Sequence, residues 1–126
     1  MTKITSGLED YIEIISNYLA KYGKIRAIDI ANELNVSRAS VSEALKRLAD
    51  QNLINYGRYG SIEITEKGKI AADNVIKRHN TLYRFLHNYL NLDTKEASEN
   101  ACKIEHVITD KFMENLEKFM SNYSEN

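Results

Sequence analysis

A mostly α fold with a small β wing is what three features of this chain predict. Proline is absent and glycine scarce, with five in 126 residues. Apolar residues recur at helical spacing along most of the length, and one short alternating stretch surrounds a Gly-Arg-Tyr-Gly turn. The implied order is a winged helix-turn-helix followed by a purely helical segment. The length suits one ordinary domain or two small sub-domains, and burial should suffice without cross-links. The single cysteine excludes an internal disulfide. No leading apolar segment and no apolar run long enough to cross a bilayer is present, so a cytoplasmic location with no membrane partner is expected.

Ser6-Gly7-Leu8-Glu9 reads as a capping box opening the first helix. Leu8, Tyr11, Ile12, Ile15, Tyr18, Leu19 and Tyr22 then form an apolar stripe that Gly23 ends. Asp10 and Glu13 lie three apart on the other side of that helix. Solvent is the default environment for such a pair, unless another segment presents ligands to it.

From Arg26 the pattern is short helix, turn, helix, with Ser37 as N-cap of the second. The exposed side of that second helix is small and polar at its start, with Arg38, Ala39, Ser40, Ser42 and Glu43, and basic at Lys46 and Arg47. Small residues let a helix approach base edges, while later cations reach phosphates. Leu53 to Tyr56 and Ser61 to Ile64 pair around Gly57-Arg58-Tyr59-Gly60, a hairpin whose tip carries a cation and an aromatic ring. The expected DNA-contacting set is therefore Ser37, Arg38, Ala39, Ser40, Ser42, Glu43, Lys46, Arg47, Arg58 and Tyr59. A plain helical domain with a surface hairpin is the plainer reading. Charge supports the first: residues 24 to 90 carry 11 Lys/Arg against 7 Asp/Glu, a balance of +4, whereas residues 91 to 126 carry 4 against 8, a balance of −4.

Thr65 caps a long helix expected over Glu66 to Leu90. His79 sits on its apolar stripe, as a satisfied core histidine or a shielded ligand, and His87 reads as a surface or packing residue. Asp93-Thr94-Lys95-Glu96 makes a second capping box, and the helix it opens carries Cys102-Lys103-Ile104-Glu105-His106. Positions i, i+3 and i+4 share a helix face, so a thiolate, a carboxylate and an imidazole would converge there. Each residue alone has a plain reading, a small core cysteine and a solvated Glu-His pair. Phe112, Met113, Leu116, Phe119 and Met120 form a last apolar stripe, and this many spare apolar faces on a small chain suggest a dimer.

The chain resembles the diphtheria toxin repressor family of iron- and manganese-dependent transcriptional regulators. The resemblance runs from Leu8-Glu9-Asp10-Tyr11-Ile12-Glu13 through Ile64-Thr65-Glu66-Lys67-Gly68 and Lys77-Arg78-His79 to Ala101-Cys102-Lys103-Ile104-Glu105-His106-Val107. It implies a winged helix-turn-helix DNA-binding domain over 1–68 and a helical dimerisation and metal-binding domain over 69–126. It also implies a homodimer that holds a palindromic double-stranded operator, with uptake genes as targets, when Fe(II) or Mn(II) is bound. The metal residues it implies are Asp10, Glu13, His79, Cys102, Glu105 and His106. The iron branch has Met at the position of Asp10, an acidic residue at that of Tyr83, His at that of Ser98, and an SH3-like domain for which a chain ending at Asn126 has no room. Asp10 and Glu13 look like the manganese branch, which has Glu where this chain has Cys102. The set is a hybrid, and its thiolate inclines the expectation to Fe(II) over Mn(II). An enzyme of the di-iron bundle type would need a Glu-x-x-His motif on two helices, and the chain has none. The alternative is a metal-independent winged-helix DNA- or protein-interaction module.

Overall fold

The computed structural model describes residues 6–124, apart from the side chains of Ser6 and Ser124. Two compact units, Met1–Asn74 and Val75–Asn126, divide within a helix. The first holds α1 (Ser6–Tyr22), α2 (Ala27–Leu34), α3 (Arg38–Asp50), β1 (Ile54–Tyr56), β2 (Ile62–Ile64) and the start of α4 (Glu66–Arg84). As its apolar spacing predicts, α1 stops at Gly23, whose φ of +79° suits glycine and whose N–H donates to the Leu19 carbonyl at 2.9 Å. The cap assigned to the Ser6 side chain lies outside the described residues, and Glu9, assigned to the same box, is buried.

Ile12, Ile15, Ile30, Val41, Leu45, Leu48, Leu53 and Ile54 are almost wholly removed from water and join α1, α2, α3 and the hairpin in one core. Ser37 caps α3 as expected, its Oγ accepting the Ser40 N–H at 3.1 Å. β1 and β2 pair antiparallel with Ile54 opposite Ile64 and Tyr56 opposite Ile62, so Ile54 and Ile62 face the core while Asn55 and Glu63 face water. A 3-10 turn over Arg58–Gly60 closes the wing with Tyr59 at φ 62° and Gly60 at φ 76°.

Thr65 fastens α4 to the wing. Its Oγ1 accepts the Gly68 N–H at 3.0 Å and donates to the Asn52 carbonyl at 2.7 Å. This draws the first turn of α4 onto the end of the α3 to β1 connection, where a Cβ on Gly68 would overlap the Leu53 carbonyl oxygen.

The second unit holds the rest of α4, α5 (Thr94–Ile104) and α6 (Asp110–Ser124). Leu82, Leu86, Ala97, Ala101, Met113, Leu116 and Met120 form its core. Two helix ends differ from the sequence reading. α4 is regular only to Arg84 and widens into a π turn over Phe85–Tyr89 before Leu90. α5 ends at Ile104, with Glu105 as C-cap, so the Cys102 to His106 run straddles the helix end instead of lying inside it. Three consecutive β-branched residues, Val107, Ile108 and Thr109, follow, and the Thr109 Oγ1 accepts the Phe112 N–H at 3.1 Å to start α6. Asp93 caps α5 as expected, accepting the Glu96 N–H at 2.8 Å.

The close approach at Gly68 has a measurable cost. Gly68→Ala should destabilise the protein by about 1–3 kcal/mol because backbone must move. Gly7→Ala, whose Cβ would meet nothing within 4 Å, should be neutral or slightly stabilising. Urea unfolding of both variants checks this, and equal stability would show that α4 accommodates the methyl by shifting.

Candidate metal centre and nucleic-acid interface

Four of the six expected ligand residues meet inside the second unit. His79, on α4, places Nδ1 3.1 Å from Oε2 of Glu105 and 3.8 Å from Sγ of Cys102. The other Glu105 oxygen, Oε1, stands 3.4 Å from Nε2 of His106. One ligand atom from each of His79, Cys102 and Glu105 lies within 4.8 Å of the other two. Two donors about 2.0–2.3 Å from a shared ion stand roughly 3–4 Å apart when adjacent in its shell, so the observed separations fit a first-row divalent ion. The donor set is sulfur, nitrogen and oxygen, and it is graded in exposure. Glu105 is 1% exposed, the His106 side chain 10% and that of His79 23%, while Cys102 opens to solvent.

The run keeps its geometry although α5 has ended, because Glu105 retains helical backbone angles (φ −60°, ψ −25°) and its N–H still donates to the Ala101 carbonyl at 3.0 Å. Cys102 and Glu105 therefore stay one turn apart on one side. Asp10 and Glu13 stand one turn apart on α1 of the first unit, each half-buried. His87 is engaged otherwise. Its Nδ1–H donates to the Leu92 carbonyl at 2.8 Å, and its ring stacks on Tyr83 at 5.5 Å between centroids.

On the first unit, Arg38, Ala39, Ser40, Glu43, Lys46 and Arg47 are exposed along α3, and Ser42 is half-buried. Not all are equally available. The Ser37 hydroxyl donates to Ser40 Oγ at 3.0 Å in addition to capping the helix, and Arg47 Nη2 is held by Glu43 Oε1 at 3.1 Å. At the wing tip Arg58 is exposed and the Tyr59 side chain stands wholly in solvent. Two further cations stand outside the expected set. Lys24 and Arg26 line an open groove with Tyr18, Tyr22 and Asp29 where α2 begins. Arg26 Nε also stands 3.8 Å from Oδ2 of Asp29.

Two family models divide the chain between them. Residues 3–62 match the iron-dependent repressor N-terminal DNA-binding domain, and residues 65–126 match the iron-dependent repressor metal-binding and dimerisation domain. An HTH-type transcriptional regulator of Methanocaldococcus jannaschii is 34% identical over 97% of this chain and 98% of its own length. The chain belongs to the iron-dependent repressor family. The transcriptional regulator MntR of Escherichia coli O6:H1 is 28% identical over 92% of this chain and 74% of its own. Among solved structures, that of the manganese regulator SloR superposes with a TM-score of 0.80 and 32% identity, over 95% of this chain; the chain spans 55% of that structure. The family is one of transcriptional regulators. Its DNA-binding model covers α1 to the start of β2, its metal-binding and dimerisation model covers α4 to α6, and among the described residues no helix is long and apolar enough to cross a membrane.

Within this repressor-family fold, burial holds the His79 imidazole below its usual range, and the neighbouring His106 pushes the same way. The Glu105 carboxylate favours the charged ring, yet the net direction is downward. Neutral imidazole is the form that ligates metal. The unfolded chain, with His79 near its ordinary value of 6.5, binds this proton more readily than the folded one. Stability from this group is therefore complete above about pH 6.5 and is lost as pH falls through the lower folded value. In chelator, the wild type should lose stability between pH 7 and pH 5, and His79→Gln should lose less. Parallel urea midpoints for the two proteins across that interval would show that His79 does not carry the dependence.

Proposed function

We propose that this chain is a metal-dependent transcriptional repressor, a homodimer that holds a palindromic double-stranded operator in the cytoplasm when Fe(II) or Mn(II) is bound, with Fe(II) as the working corepressor. The observation that carries the reading is the convergence of His79, Cys102, Glu105 and His106 in the unit matched by the metal-binding and dimerisation model. An ion would be held by His79, Cys102 and Glu105, with His106 at the other Glu105 oxygen, and its positive charge would offset a buried carboxylate and a thiolate. Asp10 and Glu13 are proposed as further carboxylate ligands on the family resemblance. A metal-independent interaction module leaves the cluster without a purpose.

The residues' own part is to hold donors in a form ready to bind. His79 is kept neutral, and Glu105 is fixed between two imidazoles. Regulation then follows from mass action: metal that favours the operator-competent state raises operator affinity, and operator raises metal affinity by the same factor. Scarce metal releases the operator.

On DNA, Arg38, Ala39, Ser40 and Ser42 are proposed to read base edges from the start of α3. Lys46, Arg47, Arg58 and Tyr59 are proposed to meet the backbone, with Ser37 and Glu43 shaping the helix surface around them. Lys46→Ala should weaken operator and random DNA alike and lower the salt slope by about one unit. Arg38→Ala should cost on the order of 1–3 kcal/mol on operator and blur specificity. Equal losses on operator and random DNA for Arg38→Ala would sink its assignment to base reading.

Metal choice rests on Cys102. Glu105, Asp10 and Glu13 suit a hard ion such as Mn(II), whereas a thiolate moves preference towards later metals, with Fe(II) between. Cys102→Glu should therefore shift activation from Fe(II) towards Mn(II) in anaerobic operator titrations. A thiol must also give up its proton, so wild-type affinity should fall up to about tenfold per pH unit below the ordinary thiol range, and the variant should respond less steeply. A wild type that prefers Mn(II) tenfold, with a ratio the variant leaves unchanged, would remove the thiolate from the site.

A further inference from the structure

The outward face of α3 carries a carboxylate on a surface otherwise suited to a polyanion. Val41, Ala44, Leu45 and Leu48 are the buried residues of this helix and fix the direction of the core. At about 100° per residue, the opposite direction is shared by Ala39, Glu43, Lys46 and Asp50, with Glu43 within about 30° of its centre. Glu43 follows Ala39 by one turn, in the first half of the helix, whereas Asp50 is the last helical residue, two turns beyond Glu43. The Glu43 side chain is 67% exposed, and its Oε1 stands 3.1 Å from Nη2 of Arg47, whose side chain is 61% exposed. An exposed ion pair of this spacing adds little to helix stability, so stability alone is a weak reason for a carboxylate at this position.

We propose that Glu43 determines specificity at the operator interface, its carboxylate accepting a hydrogen bond from the N4 amino group of a cytosine in the major groove while Arg47 holds it in place. The inference rests on the repressor reading above and names a base that α3 selects. A carboxylate near the middle of a face offered to DNA weakens binding to every sequence unless a donor receives it. In the major groove, base edges present N–H donors only at cytosine N4 and adenine N6. Adenine sets its N7 acceptor beside that donor, where a carboxylate oxygen meets a lone pair, whereas the cytosine ring has no acceptor on that side of its amino group. Cytosine is therefore the match. Arg47 contributes twice. Its charge offsets that of Glu43 as the groove excludes water, and with one nitrogen on Oε1 its remaining N–H groups stay available for a phosphate oxygen, the contact proposed for it above.

The test presents the full chain, loaded with Mn(II) and, anaerobically, with Fe(II), with a pool of duplexes of randomised sequence. The bound duplexes are sequenced for wild type, Glu43→Ala and Glu43→Gln, and single-base variants of the selected duplex are then titrated by fluorescence anisotropy. Expected is a wild-type half-site with one cytosine whose replacement by any other base weakens binding at least ~5-fold. Glu43→Ala should bind all four bases at that position within about twofold of one another, because the discriminating acceptor is gone. Glu43→Gln should move the preference to adenine, since an amide offers a donor to N7 and an acceptor to N6 together. Glu43 is exposed, so neither substitution removes a core contact, and circular dichroism checks that both variants fold. A Glu43→Ala protein that selects the wild-type half-site with unchanged base preference at every position overturns the assignment while leaving the repressor reading intact. A wild type that selects no sequence with either metal overturns the repressor reading itself.

Discussion

Burial of the Glu105 carboxylate sets the terms for the second unit. At 1% exposure it has lost its water, and an unpaired ionised carboxylate in that position costs several kcal/mol. Its neighbours must therefore be donors. His79 faces one oxygen at 3.1 Å and His106 faces the other at 3.4 Å, so one carboxylate orients two imidazoles that come from α4 and from the turn after α5. Cys102, one helical turn earlier, then lines the same cluster without further rearrangement. The chain thus holds its donors close to where an ion would need them, which reduces the ordering cost of binding.

That cluster was legible in the sequence for a reason only partly right. The spacing argument for Cys102, Glu105 and His106 assumed a continuous helix, whereas α5 ends at Ile104. It succeeded because Glu105 keeps helical angles as a C-cap, so the i to i+3 relation outlives the helix by one residue. His79 is different. Nothing local joins residues 26 apart, and an apolar-stripe histidine reads equally well as core, so only the family resemblance pointed to it. The caps Ser37, Thr65 and Asp93 were legible because each depends on a single short side chain and the N–H groups that follow. The π turn at Phe85–Tyr89 left no signal, since widening one turn alters hydrogen-bond spacing and not composition.

The first unit spends its local interactions on shape and leaves its outward chemistry to a few residues. Ser37 and Ser40 are tied to each other, and Arg47 to Glu43, which leaves Arg38 and Lys46 as the cations of α3 without such a tie among the contacts described above. Tyr59 reverses the usual economy of a loop. A left-handed backbone costs a non-glycine residue roughly 1–2 kcal/mol, and its ring gains no burial in return. A side chain held in a disfavoured conformation and aimed wholly outward is consistent with a role in contacting something outside the chain.

The gradient of exposure across the four donors bears on whether the proposed site behaves as a sensor or as a structural element. A structural ion is enclosed by four protein ligands and contributes to folding outright. Here each unit has an apolar core of its own side chains, with Ile12 to Ile54 in one and Leu82 to Met120 in the other. The hard donor, Glu105, is the buried one, while the soft donor, Cys102, is at the open edge. An ion entering from solvent would meet the thiol first and the carboxylate last, and the thiol would also be the ligand most exposed to competing protons and oxidants. Such an order favours exchange with the surrounding metal pool over permanent retention. Occupancy that follows the free metal concentration is what a regulator working by mass action requires, because the free energy a ligand adds varies with its concentration relative to its dissociation constant.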